Sequence, residues 1–244
     1  MKHISIELAM SVLLLVAVYI TVCYGLPIAQ ASANNKKSAS EGVSSTNSDN
    51  SKTVVIDSGH GGVDGGKESK SGILEKTINL SIAIKLKAIL EADGINVVMT
   101  RTDDNGLYNE NDSNKKVSDM KKRCQIINNS NADLAISIHQ NSFPDSDVSG
   151  AQVFYYTYSA EGKKMAGILQ NSFKENVNNN NTRVEKANKT YYMLINTKVP
   201  IVIAECGFLS NPEEDALLNT EEYQQSIAEA LYNGIVTYLI DEWV

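Results

Sequence analysis

Apart from His3 near its start, the 244-residue chain has two histidines, His60 and His139. Both sit at the ends of apolar runs. His60 lies in Asp57-Ser58-Gly59-His60-Gly61-Gly62, after Thr53-Val54-Val55-Ile56. His139 lies in Ser137-Ile138-His139-Gln140-Asn141, after Leu134-Ala135-Ile136. Glu205 closes a third run, in Ile203-Ala204-Glu205-Cys206-Gly207, and Glu75 stands in Leu74-Glu75-Lys76, where a helical pattern begins. Two imidazoles with one carboxylate form a recurring zinc set whose fourth position is left for water. Zinc held in that way lowers the pKa of the water to about 7 and polarises a carbonyl. Amide hydrolysis also needs a base that takes the water's proton and hands it to the leaving nitrogen. A second carboxylate, outside the metal's ligands, would serve. The glycines around His60 remove side chains where a polymeric substrate must approach. Taken singly, these residues are ordinary. A histidine at a strand end is more often structural, and a glutamate in a first helical turn is favoured there by the helix dipole. Glu205 carries more weight, because a carboxylate closing a strongly apolar strand is costly unless paired or functional.

These residues can meet only if the elements around them bring them together. Residues 53–57 read as a short buried strand running into glycines. Residues 75–93 read as a helix, with Ile78, Ile82, Leu86 and Ile89 on one face and Gly94 as its C-cap. Strands are expected at 95–100, 134–138, 151–156 and 200–205, and a second helix at 117–129. Ser159 caps a helix that runs to about Val177. Asn211 caps another, with Pro212 in its first position and Glu213 and Glu214 in its first turn. A last helix spans 221–243, with Ile227, Leu231, Ile235 and Leu239 at four-residue spacing. Strands alternating with helices predict one α/β domain with a mostly parallel, twisted sheet. The strands lack polar alternation, which fits a sheet covered by helices on both faces. In such sheets ligands bind at the carboxyl ends of the strands, so His60, His139, Glu205 and Glu75 are expected to converge on one edge.

Hydrophobic residues make up 42% of the chain, enough to fill the core of such a domain, catalytic over residues 53–244. The formal net charge is −7, which argues against a grip on a nucleic-acid backbone. Residues 9–26 are almost all apolar, and Ala29-Gln30-Ala31 supplies small residues at the spacing of a cleavage site. The expectation for residues 1–31 is therefore a signal peptide or an N-terminal membrane anchor. Both place the rest of the chain outside the cytoplasm and limit membrane contact to this segment. Residues 32–52, rich in Ser, Asn and Lys, read as a disordered polar linker. Two cysteines, Cys124 and Cys206, remain beyond the leader, lack metal-site spacing and read as small buried residues.

The ordered motifs resemble the zinc-dependent N-acetylmuramoyl-L-alanine amidases, the third amidase family. The matching residues are Val55 through Gly62, Leu74-Glu75-Lys76, Met99-Thr100-Arg101, Ala132 through Asn141, and Pro200 through Asn211. The resemblance runs from about residue 53 to 240. It implies that His60, Glu75 and His139 are the ligands of one zinc ion and that Glu205 is the general base. It also implies the substrate, the amide joining the lactyl group of N-acetylmuramic acid to L-alanine in peptidoglycan. With a leader, no long inserted helix between Glu75 and His139 and no wall-binding repeat, the layout is most similar to the germination-specific spore-cortex branch. In that branch peptides are stripped from cortex glycan so that a deacetylase can form muramic-δ-lactam. An activating or localising protein partner, such as a lipoprotein, is expected in place of a wall-binding domain. Three rival readings compete. Gly61 to Lys67 nearly completes a phosphate-binding loop, but Glu68 stands where Ser or Thr is needed. A thiol hydrolase using Cys206 with His139 leaves His60 and Glu75 unexplained. The third is a wall-binding protein that keeps the fold and not the chemistry.

Overall fold

The structure, a computed structural model, describes residues 51–241. The expectations for the leader and for most of the linker lie outside the described residues. Six strands form one sheet: β1 (Thr53–Ser58), β2 (Asn96–Met99), β3 (Leu134–Asn141), β4 (Gln152–Tyr156), β5 (Lys186–Asn188) and β6 (Ile201–Phe208). Their spatial order is β2-β1-β3-β6-β4-β5. The four strands from β2 to β6 are parallel. β4 runs antiparallel to β6, and β5 runs parallel to β4. The helices are α1 (Glu75–Ala92), α2 (Lys115–Asn129), α3 (Ala160–Asn176), α4 (Tyr192–Asn196), α5 (Pro212–Leu218) and α6 (Glu221–Asp241). Among the described residues, no helix is long and apolar enough to cross a membrane.

The period of two along each strand divides the apolar residues between two layers. Val54, Ile56, Leu134, Ile136, Ile138, Val202 and Ala204 face one side and pack against α1, α3 and α6 through Ile78, Ile82, Leu86, Leu169, Phe173, Leu231 and Ile235. Val55, Ala135, Ile201 and Ile203 face the other side, where α2 and α4 supply Cys124, Ile127, Met193 and Leu194. That second layer is thinner, and the site opens on its side.

Local signals set the element ends. Ile95 donates to the Leu90 carbonyl at 3.0 Å and Gly94 to that of Glu91 at 3.1 Å, closing α1 with Gly94 at φ +77°. The Ser159 side chain accepts from Gly162 N, and Asn211 accepts from Glu213 N and Glu214 N. Asn114 caps α2, which starts two residues before the apolar pattern does. Two elements carry no strong pattern, the three-residue β5 and the one-turn α4, which hold their place through the neighbouring β4 and α2. β3 and β6 also run past the apolar stretches that announce them, to Asn141 and Phe208, because pairing with each other continues through the polar residues.

Candidate metal centre and catalytic groove

β1, β3 and β6 lie side by side at the centre of the sheet, so their carboxyl ends form one rim. Asp57, Ser137, His139 and Glu205 share the strand parity of Val55, Ala135 and Ile203, which turns them toward the thinner layer. His139 and Glu205 are register partners on β3 and β6. His60 lies just beyond β1, in the left-handed region at φ +62°, a conformation costly for a residue with a Cβ. Glu75 opens α1, so the first turn of that helix lies at the rim. All four predicted site residues are thus brought to one edge of the sheet.

Glu75 Oε1 lies 3.1 Å from His60 Nε2 and 3.0 Å from His139 Nδ1. One ligand atom from each of the three residues falls within 4.8 Å of the others, a set that can hold a metal ion. The second carboxylate oxygen of Glu75 accepts from Lys67 N at 2.9 Å, and Gln140 N donates to Oε1 at 3.1 Å. His60 Nδ1 meets Asp64 Oδ2 at 3.1 Å, which leaves Nε2 facing Glu75. A carboxylate behind a ligating histidine fixes the ring and raises its basicity. Two glycines make the room. A Cβ on Gly59 would stand 2.3 Å from His139 Cε1, and one on Gly66 would stand 2.5 Å from Glu75 Oε2.

Electrostatics favour a cation here. Burial opposes a charge on His60, yet Asp64 and Glu75 raise its pKa to about 9. Burial likewise opposes the Glu75 carboxylate, yet His139 and His60 hold it far below the usual carboxylate range. The same field that draws a proton to His60 would draw a divalent ion. Glu205 behaves differently. Burial pushes it up to about 7, with His139 opposing and Glu75 adding to the rise. Its Oε2 is buried and has no hydrogen-bond partner among the described residues. A carboxylate free at one oxygen and titrating near neutrality is suited to accepting and returning a proton.

The site opens into a cavity of about 320 Å3 lined by His60, His139, Glu205, Met120, Tyr191 and Met193. A second cleft of about 350 Å3, lined in part by Lys67, Asn141 and Ser142, shares His60, His139 and Glu205 with the first. Sharing these residues, the two form one groove, and Glu75 lines only the second cleft.

Two rival chemistries do not fit this geometry. Cys206 follows Glu205 and therefore points to the opposite face of β6, into the main core, where burial and the nearby Glu205 push its thiol far up. The residues from Gly61 to Lys67 do not open a helix. α1 begins only at Glu75, whose carboxylate fills the space above Gly66 where a phosphate would sit.

The family profile described as N-acetylmuramoyl-L-alanine amidase matches residues 54–237, from β1 through most of α6. The chain belongs to this amidase family. The germination-specific N-acetylmuramoyl-L-alanine amidase of Bacillus subtilis is 39% identical to the enzyme over 194 residues, covering 78% of this chain and 81% of that protein. The probable cell wall amidase LytH of Staphylococcus aureus is 32% identical, over 77% of this chain and 58% of that protein. The CwlD amidase from Clostridioides difficile, solved in complex with the GerS lipoprotein, superposes with a TM-score of 0.76 at 41% identity, over 78% of this chain and 99% of that one. Three further residues of the enzyme belong with the site: Asp64, Arg101 and Arg123. Asp64 had one legible sign, its four-residue spacing from His60. Arg101 had another, its place in the Met99-Thr100-Arg101 motif, whereas Arg123 had none that separated it from surface cations, because its burial is a tertiary fact.

Proposed function

We propose that the protein hydrolyses the amide between the lactyl group of N-acetylmuramic acid and L-alanine, using one zinc ion held by His60, Glu75 and His139. The observation that carries this reading is the convergence of those three donors within 4.8 Å, beside a half-buried Glu205 whose Oε2 is buried and unpaired. Two imidazoles and a carboxylate match a catalytic zinc set in ligand type and number. Zinc bound there supplies Lewis acidity toward the scissile carbonyl and activates the attacking water. Glu205 Oε2 takes the proton of that water and returns it to the leaving nitrogen of L-alanine. A pKa near neutrality makes both transfers accessible to the same group. Asp64 holds the His60 ring through Nδ1, and Gly59 lets His139 lie flat against the β1 rim. The groove admits a substrate that continues on both sides of the cleaved bond, as a stem peptide attached to a glycan strand does.

The setting we infer is spore cortex, where removal of the peptides permits muramic-δ-lactam formation during germination. Similarity to the germination-specific Bacillus subtilis amidase supports this, as does similarity to the CwlD structure. That structure contains a lipoprotein, which supports an activating or localising protein partner for this chain also. The apolar leader at residues 9–26 supports export of residues 53–244 as the catalytic domain, with residues 32–52 as a polar linker. The test is to purify the protein, measure bound zinc, and supply peptidoglycan with and without a chelator. New L-alanine amino termini that disappear on chelation and return with zinc are expected. No cleavage with zinc supplied would favour a partner-dependent or wall-binding role.

A further inference from the structure

Arg101 belongs to the Met99-Thr100-Arg101 motif, directly after β2, and no step described above uses it. It is 3% exposed. Among the described residues its guanidinium bonds no carboxylate. It binds four backbone carbonyls instead. Nε donates to Ser58 O at 3.0 Å, Nη2 to Gly59 O at 3.0 Å and to Lys76 O at 2.8 Å, and Nη1 to Asp103 O at 2.8 Å. One planar group therefore joins the segment leading into His60 to the first turn of α1, one residue after Glu75. Neighbouring donors complete the pattern. Arg123 donates to Ser58 O and His60 O, and Lys76 Nζ donates to Gly62 O at 2.9 Å. The carbonyls of Ser58, Gly59, His60 and Gly62 are all turned toward buried or half-buried cations. That fixes the peptide planes on both sides of His60 and holds the residue in its left-handed conformation.

Burying a guanidinium without a carboxylate partner costs stability. What the structure shows in exchange is geometric: two segments far apart in sequence, each carrying one donor of the metal set, are tied to one rigid fork. From this we propose that Arg101 is a positioning residue that sets the spacing of His60 and Glu75 for zinc before the ion arrives. The proposal rests on the zinc reading given under the proposed function. It differs from a merely structural role in one respect: it requires metal affinity, and not only stability, to depend on Arg101.

The test uses the full chain and the Arg101→Lys variant, with zinc affinity read by competition against a chelator. Lysine keeps the charge, but a single ammonium lacks the planar fork that reaches both segments. Zinc affinity is expected to fall about 10- to 100-fold, the range seen when groups that orient ligands are changed. Leu169→Ala, on the buried face of α3, serves as the control; it should lower Tm and leave zinc affinity unchanged. If Arg101→Lys binds zinc as tightly as the wild type, the proposal is overturned. Should Arg101→Lys fail to fold, hydrogen exchange on the wild-type chain decides. Segments 58–62 and 74–78 should be as protected without zinc as with it, and protection that appears only with zinc would overturn preorganisation. Failure of the wild type itself to bind zinc has a different signature and would remove the metal reading first.

Discussion

At the scale of single residues, the site separates two carboxylates by environment. Glu75 is surrounded by donors, from the two imidazoles to the amides of Lys67 and Gln140, and stays ionised. Glu205 is half-buried with its Oε2 enclosed and unpaired, and desolvation raises its pKa to about 7. The proposed roles follow from that contrast. Glu205→Gln is expected to retain zinc and lose about 10²- to 10⁴-fold in kcat, the usual share of a proton-transfer group. His60→Ala and His139→Ala are expected to lose both zinc and activity. Metal analysis beside turnover measurements checks this, and loss of zinc in Glu205→Gln with retention in Glu75→Gln would mean the two roles are reversed. Asp57 carries a different duty. Burial acts to raise its pKa, and Arg123, Ser137 and Thr100 together overcome that and hold it below the usual carboxylate range. Its carboxylate ties the end of β1 to α2 through Arg123 Nη1 at 2.8 Å.

At the scale of elements, the strand termini and the helix start are what make the site, and the glycines let them approach. Gly59→Ala places a methyl group where the His139 ring lies, so the ring must leave its position beside Glu75 or the backbone must shift. Weaker zinc binding is expected, measured by chelator competition, alongside a fall in Tm. Ser159→Ala offers the contrast. It removes the cap of α3, far from the rim, and should cost about 1 kcal/mol of stability with zinc affinity intact. Chemical denaturation of both variants, read beside zinc binding, separates the two effects, and equal zinc losses would argue against the role given to Gly59. Most elements were legible in the sequence because a strand closed by glycines or a helix opened by Asn-Pro-Glu-Glu is a local matter. β5 and α4 were not, being too short to show a period. The extensions of β3 from Ile138 to Asn141 and of β6 from Glu205 to Phe208 were not either, because cross-strand pairing sustains them.

At the scale of the whole molecule, the buried charges link stability to pH. In the zinc-free protein the His60 pKa is raised from 6.5 to about 9. A group raised in the folded state contributes stability that is complete below its ordinary value and is lost as pH rises through the folded value. The zinc-free protein is therefore expected to lose stability between pH 6.5 and about 9. Glu205, raised to about 7, acts in the same direction at lower pH, its contribution fading as pH climbs from 4.5. Zinc should reverse the trend, since the metal competes with the proton on His60 and binds more tightly as that proton leaves. Urea midpoints from pH 6 to 9, with and without zinc, check the sign; a zinc-free midpoint that rises with pH would contradict the assignment. Binding of zinc to the folded state alone should also raise Tm with zinc concentration.

The sequence by itself determined the fold class, the helix ends at Gly94, Ser159 and Asn211, and His60, Glu75, His139 and Glu205 as candidate site residues. Those are carried by period, by turn chemistry and by residue type, which need no distant contact to be read. Only the tertiary structure decided which glutamate is ringed by donors and which is left with a free oxygen. Both are carboxylates at the same rim, and the difference lies in neighbours contributed by other elements. It likewise decided that Cys206 is turned away, since one residue along a strand reverses the face. Arg101 gained its meaning in the same way: a cation just after β2 becomes a fork between two metal-ligand segments only when β1, β2 and α1 are packed together.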